Sequence, residues 1–216
     1  MKYSKVKFLT FFAIICSVGL APINDASAAT DFVDAFDVSA QETVPEGVTF
    51  NTNGTKMFVV GWNSDNVNEY ACATAFDVST CGFTDAFSVA AQDTISTGLA
   101  FNTDGTKMFV TGVFGIDVNE YNCDAFDVSS CVVDAGAPFS VAAQETAPAG
   151  VAFNTNGTKM FVTGSDSDNV NEYACDVFDV STCTFTDAFD VSGEDTSPQD
   201  IAFNTDGTKM FVTGAA

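Results

Sequence analysis

The chain has no His and no Arg. Without His it lacks the usual general base, the middle member of a Ser-His-Asp triad and the commonest metal ligand. Without Arg it lacks the bidentate clamp for phosphate and carboxylate groups. Basic charge is confined to seven Lys against 29 acidic residues, a formal net charge of −22 over 216 residues. Such a surface repels phosphate backbones and anionic lipid, which argues against nucleic acid and anionic membranes as partners. Helical periodicity is missing, and so is any linker that would mark a second domain. A single Trp, Trp62, serves the whole chain.

Long apolar runs are also scarce. The longest, Phe8 to Leu20, is too short to span a bilayer comfortably. Lys2, Lys5 and Lys7 precede it and Ala26-Ser27-Ala28 follows it. Basic start, apolar core and small-residue cleavage site together predict a secretory signal peptide over 1–28. Cys16 follows Ile15, which is bulkier than the small residue a lipoprotein signal prefers. The chain is thus expected to be exported, with a secreted, periplasmic or cell-surface location. Removing the leader removes three Lys and Asp25, leaving 4 Lys against 28 acids and a net charge of −24.

What the chain has in plenty is repetition. FNTNGTKMFV at Phe50 recurs as FNTDGTKMFV at Phe101, FNTNGTKMFV at Phe153 and FNTDGTKMFV at Phe203, in steps of 51, 52 and 50 residues. A fixed period near 50 marks a repeat architecture. Each copy reads as two strands joined at Asn53-Gly54, Asp104-Gly105, Asn156-Gly157 or Asp206-Gly207, dipeptides suited to a two-residue type I′ turn. Met57 to Val60 is apolar at successive positions, as in a strand buried on both faces. A variable loop follows (GWNSDN, GVFGID, GSDSDN), then a strand written VNEY at Val67, Val118 and Val170. Period two puts Val67 and Glu69 on one face and Asn68 and Tyr70 on the other. AFDVST, AFDVSS or VFDVST leads into a fourth strand, and a polar link (QETVPEG, QDTISTG, QETAPAG, EDTSPQD) leads to the next unit.

The expected fold is therefore all-β: a β-propeller of four-stranded antiparallel blades over 29–216, with repeat cores at 50–59, 101–110, 153–162 and 203–212. Thr30 onward, TDFVDAFDVSAQET, matches the fourth strand of the last whole unit. The chain thus reads as a lone fourth strand, three whole blades and two strands of another. That is either a portion of a larger propeller or a small four-bladed ring with a split closing blade. Thr30 to Ser39 is expected to pair beside the Phe203–Gly214 hairpin, or to lie unpaired at an open end.

The GTKMFV, VNEY and AFDVST segments resemble those of exported or phage-associated bacterial repeat proteins with GTKMYVxG, VYQY and STPWDVSTA units. That class is taken as β-propellers, distantly like YVTN and NHL propellers. The resemblance covers residues 30–216 and implies the fold. It implies no activity. Where that class has apolar residues around the FDVST segment, this chain has Cys.

Nearly every acid recurs at a repeat-equivalent position, as in a scaffold, whereas a catalytic pair would be unique to one blade. The chain is accordingly expected not to be an enzyme but a non-catalytic recognition or surface-structural module that binds a protein or carbohydrate through variable loops. The alternative is a carbohydrate-active hydrolase that uses carboxylates alone. Trp62 could stack on a sugar ring or a partner. Asp65, Asp117 and Asp168, one before each VN strand, are read as turn-shaping residues with cation binding second. Glu69, Glu120 and Glu172 could ring a channel, but are read first as bonding to a neighbouring loop. No cofactor is expected. Weak Ca²⁺ binding is the second reading of the acidity; Asp166 and Asp168 come nearest to a Ca²⁺ loop but lack the Gly and distal Glu of an EF-hand.

Six Cys follow the leader, one close pair per whole repeat: Cys72 and Cys81, Cys123 and Cys131, Cys175 and Cys183. In an exported chain an even count reads as disulfides, and the repeat makes pairing within each unit the expected scheme. A zinc site would need shorter spacings. Antiparallel neighbours can bring such pairs to the Cα separation of about 5.5 Å that a disulfide uses. Closing a nine-residue loop contributes roughly 2.6 kcal/mol, so three contribute roughly 8 kcal/mol. Non-reducing peptide mapping of the exported protein should yield three local disulfides and no free thiol. A bridge between different repeats, or six alkylatable thiols, would contradict this.

Overall fold

The computed structural model describes residues 32–215. The expected signal peptide at 1–28, with Lys2, Lys5, Lys7 and Cys16, lies outside the described residues, as does Thr30. Strands β1 (Pro45–Phe50), β2 (Lys56–Gly61), β3 (Asn66–Cys72) and β4 (Cys81–Ser88) form one antiparallel sheet in chain order. The second sheet repeats this with β5 (Ser96–Phe101), β6 (Lys107–Gly112), β7 (Asp117–Asp124) and β8 (Asp127–Val133). Its fourth strand is interrupted at DAGAP, and β9 (Phe139–Ser140) resumes the pairing with β7. The third sheet is β10 (Pro148–Phe153), β11 (Lys159–Gly164), β12 (Asn169–Asp176) and β13 (Asp179–Asp190). A two-stranded sheet, β14 (Pro198–Phe203) and β15 (Met210–Gly214), comes last.

The first strands stand side by side, β1 against β5, β5 against β10 and β10 against β14, so the sheets radiate like propeller blades. Their close approach depends on Gly98, where an added Cβ would run into the Ala149 carbonyl of the next blade. The second strands of the first two blades are buried on both faces, as their continuous apolar runs predict: Met57, Phe58, Val59 and Val60 are all buried, as are Met108, Phe109 and Val110. Phe58 and Val67 face the second blade, whereas Tyr70 packs on the other side with Phe36, which confirms the alternation read from VNEY.

Two local expectations are corrected. The Asn-Gly turns are not two-residue type I′ turns. Among their residues only glycine has positive φ, +72° at Gly54 and +75° at Gly105. Gly54 N–H closes a turn onto Asn51 O, Asn51 Oδ1 accepts from Lys56 N–H, and Asn53 Oδ1 accepts from Thr55 N–H. Those side-chain bonds stabilise a longer loop in which one left-handed residue suffices. The disulfides Cys72–Cys81, Cys123–Cys131 and Cys175–Cys183 do form within repeats. Their Cα atoms, however, are 3.8–4.1 Å apart, closer than expected. Each pair closes the connection between the third and fourth strands, a tight turn in the second and third blades and a longer segment with a 3-10 turn at Val78–Thr80 in the first, where Cys72 directly opposes Cys81.

Phe32 to Val38 is not in a strand, and β14–β15 carries no third strand among the described residues. Phe36 instead meets the Tyr70 ring edge-on at 5.4 Å, as Phe87 meets Tyr121 and Phe139 meets Tyr173.

Blades are joined by one device used twice in full. Phe58 packs on Phe101 of the next blade at 4.6 Å, and Phe109 on Phe153 at 4.3 Å. A third ring, Phe126 or Phe178, completes each cluster from the turn after the third strand. Both of these residues have positive φ, and each donates its N–H to the turn glycine of its own blade. Across the seam, Lys56 Nζ donates to Phe126 O at 2.8 Å while pairing with Glu69 at 2.8 Å. Glu69 Oε2 accepts from Val128 N–H at 3.1 Å. Lys107 and Glu120 do the same to Phe178 O and Val180 N–H, both at 2.9 Å. Glu69 and Glu120 thus bond to a neighbouring blade, as their first reading held, whereas the partners of Glu172, Lys159 and Thr186, are in its own blade.

Lys159 and Glu172 pair with each other at 2.8 Å, but the corresponding turn of the following blade is not among the described residues. This contrast supplies a test. Glu120→Ala takes the ion partner from half-buried Lys107, which keeps its bond to Phe178 O, and leaves the buried Val180 N–H without an acceptor; it should cost about 1–3 kcal/mol. Glu172→Ala, at an exposed pair, should cost less than about 1 kcal/mol. Urea unfolding of both variants measures the difference, and equal losses would remove the seam as its source.

Candidate ligand-binding faces

Strand register decides which loops share an end of the blade. Phe50 pairs with Met57 and Pro45 with Gly61, so the Asn-Gly turn lies at one end and the variable loop at the other.

At the variable-loop end, the acid of each of the first three polar links is buried and clamps the loop. Glu42 accepts N–H bonds from Val44 at 2.7 Å, Asn63 at 3.3 Å and Ser64 at 2.9 Å. Asp93 accepts from Ile95 at 2.6 Å and Gly115 at 2.7 Å. Glu145 accepts from Ala147 at 2.8 Å, Asp166 at 3.3 Å and the Ser167 hydroxyl at 2.7 Å. Sequence reasoning missed this role. The signal was the fixed acid in QET, QDT and QET, which fell in what read as a linker. Near these acids stand the buried tyrosines. Burial, then Glu42, pushes the Tyr70 phenol up to about 12. Tyr121 and Tyr173 are raised further, chiefly by burial.

The site residues inferred from sequence all lie at this end. Trp62 is 48% exposed in the first variable loop. Asp65 and Asp168 sit in the left-handed region at φ +51°. Their carbonyls accept from Val89 and Val191 N–H at 2.9 Å, a turn-shaping role carried by the backbone. Asp117 is not their counterpart. Ile116, at φ +54° with its carbonyl bonded to Val141 N–H, takes their place, and Asp117 is one residue further on, level with Asn66 and Asn169. Asp117 opens β7, is buried, and accepts from Asn119 Nδ2 at 2.7 Å. Burial raises its pKa, and Asp93 nearby adds to the effect. Among the described residues no three Asp, Glu or Cys side chains gather into a group able to hold a metal ion.

At the other end lies a groove of about 300 Å³ running across the blades. Its lining repeats the FNT triplet: Phe50, Phe101 and Phe153 rings with Thr52, Thr103, Thr155 and Thr205. Thr103 Oγ1 donates to Thr155 O at 3.3 Å, linking adjacent blades along it. No charged residue lines this groove.

No protein-family model matches the sequence, and no curated protein matches it. Solved structures similar to it include β-propeller proteins. A periplasmic gluconolactonase of Pseudomonas aeruginosa is 17% identical, with a TM-score of 0.53 over 79% of this chain and 47% of that one. A putative 6-phosphogluconolactonase of Bacteroides uniformis is 13% identical, with a TM-score of 0.55 over 78% and 49%. A functionally unknown protein of Desulfotomaculum acetoxidans is 16% identical, with a TM-score of 0.54 over 79% and 49%. This chain spans about half the length of these structures. At such identities the likeness establishes the fold.

Two of the three are named as enzymes, which corrects the expectation that the chain is not one. Missing His and Arg had argued against catalysis on this scaffold, and that argument does not hold against neighbours bearing enzyme names. The three disulfides agree with an oxidising compartment outside the cytoplasm.

Asp117 is testable against its own siblings. Because its folded-state pKa is raised, the ionised carboxyl is penalised in the fold at neutral pH. Asp117→Asn, which copies Asn66 and Asn169, should stabilise at pH 7 by up to about 1 kcal/mol. The gain should fade as pH falls through the raised pKa into the ordinary carboxylate range, where the acid is neutral in both states. Thermal unfolding across that range checks it; a gain that does not vary with pH would assign the effect to packing.

Proposed function

We propose that the chain is an exported β-propeller recognition module of the GTKMYVxG repeat class, and that it binds a neutral carbohydrate along the FNT groove. One observation carries this reading. In a chain of net charge −22, the groove has only aromatic rings, hydroxyls and amides on its walls, repeated from blade to blade. Aromatic rings offer an apolar platform to a sugar's C–H face, and threonine hydroxyls serve as donor or acceptor to its hydroxyls. A repeating lining suits a repeating ligand. The variable loops with Trp62, Asp65, Asp117 and Asp168 make the opposite face, where Trp62 is open to a protein partner.

A second reading, an enzyme acting on a lactone or sugar, is favoured by the names of similar structures and by the blade-specific acids Asp93 and Asp117. In the other blades these positions are Glu42 with Asn66 and Glu145 with Asn169.

Calorimetric titration with a panel of neutral oligosaccharides tests the first reading. Thr52→Val and Thr155→Val should weaken binding about tenfold each, at unchanged melting temperature, if each hydroxyl makes one hydrogen bond. Failure of every neutral saccharide to bind would sink it. Acid release from gluconolactone, abolished by Asp117→Asn, would favour the second reading.

A further inference from the structure

Two of the four Asn-Gly or Asp-Gly turns hold a chemical group that the fold does not use. Asn53-Gly54-Thr55 and Asn156-Gly157-Thr158 are the only Asn-X-Thr or Asn-X-Ser triplets in the chain. That triplet, with X other than Pro, is the acceptor signal for N-linked glycosylation of exported chains. Both fall at the same place, the turn between the first and second strands, in the first and third blades. Asn53 and Asn156 are exposed there. In each triplet the threonine binds only the oxygen of the asparagine amide. Thr55 donates to Asn53 Oδ1 from its N–H at 3.0 Å and from its hydroxyl at 2.6 Å. Thr158 does the same to Asn156 Oδ1 at 3.2 and 2.7 Å. Among the described residues nothing accepts from Nδ2 of either asparagine.

The other two copies of the turn show that this nitrogen is dispensable to the fold. There Asp104 and Asp206 take the same position and accept the same two bonds from Thr106 and Thr208. Those bonds, the hydroxyl's first, hold both carboxyls below the usual carboxylate range. An acid therefore serves the turn fully, in a chain rich in acids, yet two of the four copies hold an amide. The threonine hydroxyl is also oriented. Thr55 Oγ1 accepts from Asn51 Nδ2 at 3.3 Å, so its own proton is directed to Asn53. Thr158 Oγ1 accepts from Asn154 Nδ2 at 3.1 Å in the same way. The fold thus fixes the oxygen of the acceptor amide and leaves its nitrogen open.

We propose that Asn53 and Asn156 are N-glycosylation sites, each carrying an oligosaccharide at the groove-bearing end of its blade. The bond formed joins Nδ2 to the anomeric carbon of an oligosaccharyl diphosphate, which the exporting cell supplies together with a transferase. The bond from that carbon to the phosphate oxygen breaks, the diphosphate leaves, and the amide nitrogen gives up one proton to a base of the transferase. The three disulfides agree with the export that such a transfer accompanies. Thr52 and Thr155, next to these asparagines in the chain, line the FNT groove, so the attached sugars flank it. The modification does not depend on a ligand in the groove, and either reading can fail without the other.

The test is mass spectrometry of the chain as its own host exports it, digested after lysine. The fragments ending at Lys56 and Lys159 should carry added hexose or N-acetylhexosamine mass on Asn53 and Asn156, and those ending at Lys107 and Lys209 none. An amidase that releases the sugar from the side-chain nitrogen should leave Asp at both positions. Thr55→Val should abolish the mass at Asn53, whereas Thr55→Ser should keep it. Asn53→Asp, which copies Asp104, should fold and be exported as before without that mass. Unmodified Asn53 and Asn156 in the exported chain overturn the proposal. Sugar found on Thr55 or Thr158 instead, or persisting on Asn53 in Thr55→Val, overturns it too.

Discussion

The lysine–glutamate pair at the start of each blade seam is the contact on which the architecture rests. Lys56 with Glu69, and Lys107 with Glu120, are intrablade ion pairs whose remaining valences are spent on the next blade's backbone. Burying two charges is costly unless each is paired and fully hydrogen-bonded. Here the pair neutralises itself, and the turn of the next blade satisfies the rest. That turn has the right shape because Phe126 or Phe178 takes positive φ over a glycine whose missing side chain leaves room for the ring. Seam, turn and glycine are therefore one device, and the four repeat-equivalent Lys, all that remain after the predicted leader, are committed to it or placed for it.

The acidity of the chain divides in two on the same reasoning. Glu42, Asp93 and Glu145 are buried and bound to loop amides, so they organise the variable loops instead of facing solvent. A rigid variable loop presents Trp62 at low entropic cost to a partner. The exposed acids remain for solubility. The uncharged FNT groove is conspicuous against that background and gives the two ends of the blades different chemistry.

Much of this was legible because repetition exposes strands and pairings. Met57 to Val60 read as buried on both faces, the VNEY alternation was right, and the local disulfides followed from one Cys pair per unit. What escaped has a common physical cause: periodicity gives the elements within a unit but not the atoms that meet across units. The link acids looked like linker because their partners are loop amides about 20 residues away. Asp117 was matched with Asp65 because both are acidic and precede VN. Backbone conformation, with Ile116 at positive φ, shows that the match was one residue out. The Asn-Gly dipeptide suggested the commonest hairpin, but Asn51 and Asn53 side chains stabilise a longer loop. Missing His and Arg weighed too heavily against catalysis, since a scaffold does not fix the residues a site employs.

Each blade supplies the Lys and Glu, and its successor supplies the carbonyl that accepts from the Lys and the amide that donates to the Glu. The seam therefore has two unlike sides, each with one donor and one acceptor, and every whole unit carries one of each side. A tandem duplication or loss of one unit, at any seam, would bring together two sides already suited to each other. Arrays of this kind can change length in gene-sized steps of one repeat without inventing a new contact, while substitutions inside the seam are held in check from both neighbours at once.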